Sequence, residues 1–110
     1  MKDLTGLMKQ AREMQAKMAE AQERLGEITL EAHAGGGKVT AVANGRQEIL
    51  EIRIDPEVVD PEDVEMLEDL VLAAVKEALH QAGERAREEM QKAAGPLAGL
   101  GGLGGGLPGF

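Results

Sequence analysis

Eight apolar residues near the N-terminus, Leu4, Leu7, Ala11, Met14, Met18, Ala21, Leu25 and Ile28, follow one another at steps that alternate between three and four. That spacing keeps them on one face of a helix and is the heptad seam of paired helices. It predicts a helix from about Asp3 to Leu25, roughly 35 Å long at about 1.5 Å per residue, against about 20 Å for a typical strand. A helix of that length overhangs any small sheet it covers, or packs along a second helix. On a helical projection Lys2, Lys9, Arg12, Lys17 and Arg24 fall opposite the seam, interleaved with Glu13, Glu20 and Glu23.

After the seam the period changes. Ile28, Leu30, Ala32 and Ala34 alternate with Thr29, Glu31 and His33, which is strand spacing. Gly35-Gly36-Gly37 supplies a turn, Lys38 to Ala43 reads as a second strand, and Asn44-Gly45 is the signal of a type I′ hairpin. Arg46 to Ile54 completes a three-stranded antiparallel sheet, with Leu50, Ile52 and Ile54 expected inward and Gln47, Ile49, Glu51 and Arg53 outward. So thin a sheet has two edges, and exposed edges invite pairing with another chain. This is the first argument for a dimer.

Asp55-Pro56 ends the third strand, and Asp60-Pro61-Glu62-Asp63 reads as a helix start with Asp60 as cap and Pro61 at the first helical position. Val64, Leu67, Leu70, Val71, Ala74, Val75, Ala78 and Leu79 carry the apolar stripe of this second long helix. Gly83 is expected to weaken it, letting the turns from Glu84 to Ala94 kink or fray, before Gly95-Pro96 stops it. The fold class is therefore α+β in the order αβββα. Residues 1–94 form the domain, and residues 95–110 a flexible, disordered Gly/Leu-rich tail. That tail carries no charge, but 8 of its 16 residues are glycine, whereas a membrane helix needs about 20 mostly apolar residues. No membrane association is expected, and the charged start MKDLTGLMKQ is unlike an export signal, which points to the cytoplasm.

The chain of 110 residues has no Cys, Ser, Trp or Tyr, and its single aromatic is Phe110. Disulfides, zinc-thiolate sites, Ser or Cys nucleophiles and aromatic platforms for unstacked bases are excluded. Gly-Gly-Gly-Lys at 35–38 lacks the leading glycine and trailing hydroxyl of a phosphate loop, having Ala32 and Val39 at those places. His33 and His80 are far apart in the chain, and only Glu77 and Glu84 stand near His80 at helical spacing, which reads as a solvated face. The acidic run from Asp55 to Asp69 lacks the alternation and central glycine of a calcium loop. No cofactor, metal or catalysis is expected.

The net charge of −8 is unevenly spread. Residues 55–82 hold nine acids and one base, which accounts for the whole excess, while residues 1–25 hold five bases and four acids and residues 83–110 three of each. Both ends of the domain are able to face a polyanion if the acidic segment is held away from it.

The segments LMKQAREMQAKMAEAQERL at 7–25, GGGKVTAVANG at 35–45, IDP at 54–56, EMLEDLVLAAVKEAL at 65–79 and the closing LPGF at 107–110 together resemble the YbaB/EbfC family of bacterial nucleoid-associated proteins. The resemblance implies an intertwined, sheet-associated homodimer whose paired helices project as arms that grip double-stranded DNA, with a role in nucleoid organisation and gene expression. On that expectation Lys2, Lys9, Arg12, Lys17 and Arg24 contact phosphates, extended by Arg85, Arg87 and Lys92. The dimer seam is expected at Val39, Ala41, Ala43, Leu50, Ile52 and Ile54. Such contacts are directed at phosphates, and so salt-dependent and weakly sequence-selective. The competing reading is a protein-interaction adaptor whose helical seam or tail docks a replication or repair partner, with DNA contact incidental.

Overall fold

A computed structural model describes residues 2–95, with side chains from Leu4 onward. The expected tail, and with it the closing LPGF, lies outside the described residues. The elements are α1 (Lys2–Glu27), β1 (Thr29–Ala34), β2 (Val39–Asn44), β3 (Ile49–Ile54), a 3-10 turn (Pro56–Val58) and α2 (Val64–Ala94). This is the predicted αβββα order. The strands form one antiparallel sheet in the order β1-β2-β3. No helix among the described residues is long and apolar enough to cross a membrane.

α2 lies over one face of the sheet, and the fully buried centre of the contact is mostly alanine. Ala74, Ala78 and Ala82, spaced by four along α2, are fully buried against Ala32 of β1 and Val39, Ala41 and Ala43 of β2. Leu30, Leu67, Leu70, Val71 and Val75, partly buried, pack around this small-residue centre. Val39 is the one large side chain in this core with no exposed surface. The other face of β2 is covered by polar chains from its neighbours. His33 Nδ1 is 2.9 Å from Thr40 Oγ1. Val42 stands in register with Glu31 on one side and Glu51 on the other, and Arg53 reaches both carboxylates, at 3.2 and 2.9 Å. Every residue of β2 is therefore buried, whereas every residue of β3 is exposed.

Four local expectations are corrected. The helix cap is Asp63, whose Oδ1 accepts from the Met66 amide at 3.3 Å, while Asp60 instead accepts from the Glu62 amide in a turn that precedes the helix. Gly83 does not break α2, which runs through it unbroken, and the Gln47 side-chain amide sits 3.0 Å from where its β-carbon would stand, so the position has little room for a larger residue. The Asn44-Gly45 hairpin is not a two-residue turn. Asn44 O accepts from Gln47 N at 3.0 Å, Glu48 O accepts from Asn44 N at 3.0 Å, and Gln47 takes a left-handed conformation with φ of 63°. That pattern is the three-residue loop with a bulge. Finally, the β2–β3 register shifts between Val42 and Ala43, so that Glu51 faces Val42 while Ile49 faces Ala43. This bulge brings Ile49 onto the face of Ile52 and Ile54, where alternation alone had set it on the opposite one.

Candidate nucleic-acid interface

Beyond the β2–β3 hairpin, α1 and the last turns of α2 run side by side, away from the sheet. Gln22 Nε2 of α1 stands 3.9 Å from Met90 Sδ of α2. The seam read from sequence is what packs: Ala21 and Leu25 are buried and Met14 and Met18 half-buried. Nearer the N-terminus α1 outruns its partner helix, and Leu4, Leu7 and Met8 are exposed, Leu7 to 61%. The described chain measures 72 × 29 × 16 Å, an elongated body with this helix pair at one end.

The root of the pair is tied to the sheet. Gly45 N donates to Leu25 O at 2.8 Å and to Ile28 O at 3.1 Å. Arg46 Nε donates to Gln22 O at 3.0 Å. The hairpin thus closes carbonyls at the C-terminal end of α1, where a helix leaves such groups without internal partners and where a cation suits the dipole.

Lys9, Arg12, Lys17 and Arg24 are exposed on α1, and none forms an ion pair among the described residues. Lys2 lies in the first turn of α1, and its side chain is outside those described. The bases of α2 divide between two faces. Arg85 and Lys92 both reach Glu89, at 3.3 and 3.7 Å, and that carboxylate is nearly buried. Arg87 is exposed on the far side of α2 from that ion pair and lines a cleft of about 520 Å³ between α1, the hairpin and α2. Arg46, which the sequence reading did not single out, lines the same cleft. Only its place directly after Asn44-Gly45 signalled a hairpin-tip position, and nothing in the sequence set that tip against the root of α1.

The acids of residues 55–69 gather at the opposite end of the sheet. Lys38, at the Gly35–Gly37 turn, holds Asp55 at 3.5 Å and is paired also with Glu57. The Glu57 amide, with Lys38 as a smaller cause, lowers the Asp55 carboxyl below its ordinary range, and Glu57 foremost raises the Lys38 ammonium. The start of α2 lies at this end as well, Leu70 packing on Gly35. No group of three or more metal-ligating side chains occurs among the described residues.

The expected dimer seam divides. Val39, Ala41 and Ala43 are buried under α2 within the protomer and have no surface to offer a partner. The physical reason is that α2 sits over β1 and β2 and barely reaches β3. Leu50, Ile52 and Ile54 are exposed, as is Ile49. Ile54 joins Leu67, Val71, Leu72 and Val75 of α2 along an almost wholly apolar groove, with Leu72 53% exposed.

Residues 1–97 match the YbaB/EbfC DNA-binding family. A nucleoid-associated protein of Acetivibrio thermocellus is 56% identical over 101 residues, covering 92% of this chain and 89% of the relative. One of Moorella thermoacetica is 54% identical over 110 residues, covering 100% of this chain and 98% of the relative. The crystal structure of an uncharacterized protein from Helicobacter pylori superposes with a TM-score of 0.69 at 22% identity, over 84% of this chain and 94% of that one, which shows the same fold. The chain belongs to the YbaB/EbfC DNA-binding family.

Proposed function

We propose that this chain binds double-stranded DNA as a homodimer, through phosphates, and contributes to nucleoid organisation and gene expression in the cytoplasm. The observation that carries the reading is the segregation of charge. Four exposed α1 bases stand without carboxylate partners among the described residues at one end of the body, and the acids of residues 55–69 lie at the other. A polyanion approaching the helix pair meets cations that have no internal partner to give up.

The dimer has its own support. A protein of this size that stands alone rarely leaves several large aliphatic chains open along an edge strand. Here Ile49, Leu50, Ile52 and Ile54 are open, beside the apolar groove of α2. Pairing through that edge doubles the α1 bases presented to one duplex.

The test is titration of labelled duplex DNA at several salt concentrations, with the wild type and with Lys9, Arg12 and Lys17 all changed to Glu. The wild type should show a log–log slope of about 0.9 per neutralised phosphate. The triple variant should lose binding with helicity and molecular mass unchanged. Binding that survives the triple change removes α1 from the interface.

The adaptor reading is favoured by one observation, the exposure of Leu4 and Leu7 of the seam, with Met8 beside them, beyond the end of α2. Capture of a replication or repair protein that is lost with Leu4→Gln/Leu7→Gln, while DNA binding persists, would support it.

A further inference from the structure

The cleft at the root of the helix pair brings two arginines of different elements to one lining. In a chain with 20 acids and 12 bases, its only charged lining residues are two arginines, Arg46 and Arg87. Neither has a carboxylate partner among the described residues, whereas Lys38, Arg53, Arg85 and Lys92 all do. Gln22 and Gln91 flank them, adding neutral amide donors.

Arg46 is also oriented. Its Nε is held by Gln22 O at 3.0 Å, and its guanidinium passes over Gly26, where a β-carbon would come within 3.0 Å of Cζ. The bond uses one of five guanidinium N–H groups and leaves the terminal nitrogens free to donate. A guanidinium fixed in advance loses little further entropy on taking up an anion, and the fork suits phosphate oxygens. Arg87 lines the same cleft from α2, so the cleft draws its two arginines from different elements.

We infer that this cleft seats one backbone phosphate of the bound duplex, gripped jointly by Arg46 and Arg87. The inference rests on the DNA-binding reading above and adds to it a hairpin residue outside the helices and a shared site. It extends the contact surface from the helices onto the sheet, and it makes Arg87 the α2 base that engages nucleic acid while Arg85 and Lys92 stay with Glu89.

The test is a double-mutant cycle on the full chain with labelled duplex DNA, comparing the wild type, Arg46→Gln, Arg87→Gln and the double variant across a salt series. Two arginines on one phosphate predict that each single change weakens binding roughly tenfold, and that the double variant is little worse than either single one. The salt slope should fall by about 0.9 for each cleft engaged. Arg46→Lys, which retains the charge without the Nε bond to α1, should keep most of the slope. Arg87 makes no side-chain hydrogen bond among the described residues, so Arg87→Gln alone decides the matter if Arg46→Gln loses helicity. Losses that simply add, with the slope unchanged, overturn the shared seat and leave DNA binding intact. A wild type with no salt-sensitive binding overturns both. Displacement of DNA from the wild type, but not from Arg87→Gln, by submillimolar nucleoside triphosphate overturns the backbone assignment in favour of a free nucleotide.

Discussion

The amide of Gly45 donates to the carbonyl of Leu25 across 2.8 Å, so the tip of the β2–β3 hairpin caps the C-terminus of α1. A β-carbon at Gly45 would lie 2.8 Å from that carbonyl oxygen and 2.9 Å from Leu25 Cδ2. Gly45→Ala must push hairpin and helix apart. A loss of about 1–3 kcal/mol is expected, as for other overpacked sites, read as a lower midpoint of urea unfolding. An unchanged midpoint would mean the contact is not tight in solution.

Gln47 combines a cost and a gain. Its φ of 63° is unfavourable for a side chain, while its Nε2 donates to Leu79 O at 3.3 Å on α2. Gln47→Ala keeps the strain and loses the bond, and should destabilise by about 0.5–1.5 kcal/mol. Gln47→Gly loses the bond but relieves the strain, and should fall closer to the wild type. The comparison is made by denaturant melts of both variants, and the reverse order would discount the strain.

Acid should weaken the sheet end that carries Asp55. Its carboxyl titrates below its ordinary value of 3.8, chiefly because the Glu57 amide favours the charged form, with Lys38 adding to it. A lowered folded-state value contributes stability that is present above about pH 4, the unfolded value, and is lost as pH falls through the folded one. Wild type should therefore exceed Asp55→Asn in stability at neutral pH, and the gap should close in acid. A gap constant from pH 7 down to pH 2 would contradict the assignment.

Glu89 holds Arg85 and Lys92 on α2, at 3.3 and 3.7 Å. Glu89→Gln should release both cations, and DNA affinity should rise by a few fold, with a steeper salt dependence. Anisotropy titration reads both. No gain would place that face of α2 away from the duplex.

Ile52 and Ile54 are exposed on β3, which α2 barely reaches, so a charge there meets no packed core within the protomer. Ile52→Lys/Ile54→Lys should give a folded monomer, with dimer dissociation strengthened at least about a hundredfold by desolvation of the added charges. Light scattering measures the mass and circular dichroism the fold. A dimer that persists would move the interface off this strand.

Periodicity made most of the fold legible. The three-four steps from Leu4 to Ile28 gave α1, alternation gave the strands, and the Val64–Leu79 stripe gave α2. What escaped depended on distant partners. Gly83 looked like an interruption because its neighbour Gln47 is 36 positions earlier in the chain. The bulge that returns Ile49 to the face of Ile52 is a property of pairing with β2, invisible in the strand itself. Asp60 was read as the cap because Pro61 follows it, but the 3-10 turn and the turn after it place the helix start at Asp63. For the candidate interface, the exposure of Lys9, Arg12, Lys17 and Arg24 was readable from the helical projection. The place of Arg46 was not, since its side chain reaches the root of α1 only once the hairpin has folded back on it.

Charge along the 72 Å body runs from the acids of residues 55–69 at one end to a balance of bases and acids along α1 at the other. Near a duplex such a body experiences a torque as well as a pull or a push. The acidic end is repelled and the balanced end is not, so the molecule turns helix pair first before any contact forms. On the proposed binding mode, a chain that is acidic in sum meets DNA with its acidic end turned outward, as a repulsive spacer toward the next bound molecule.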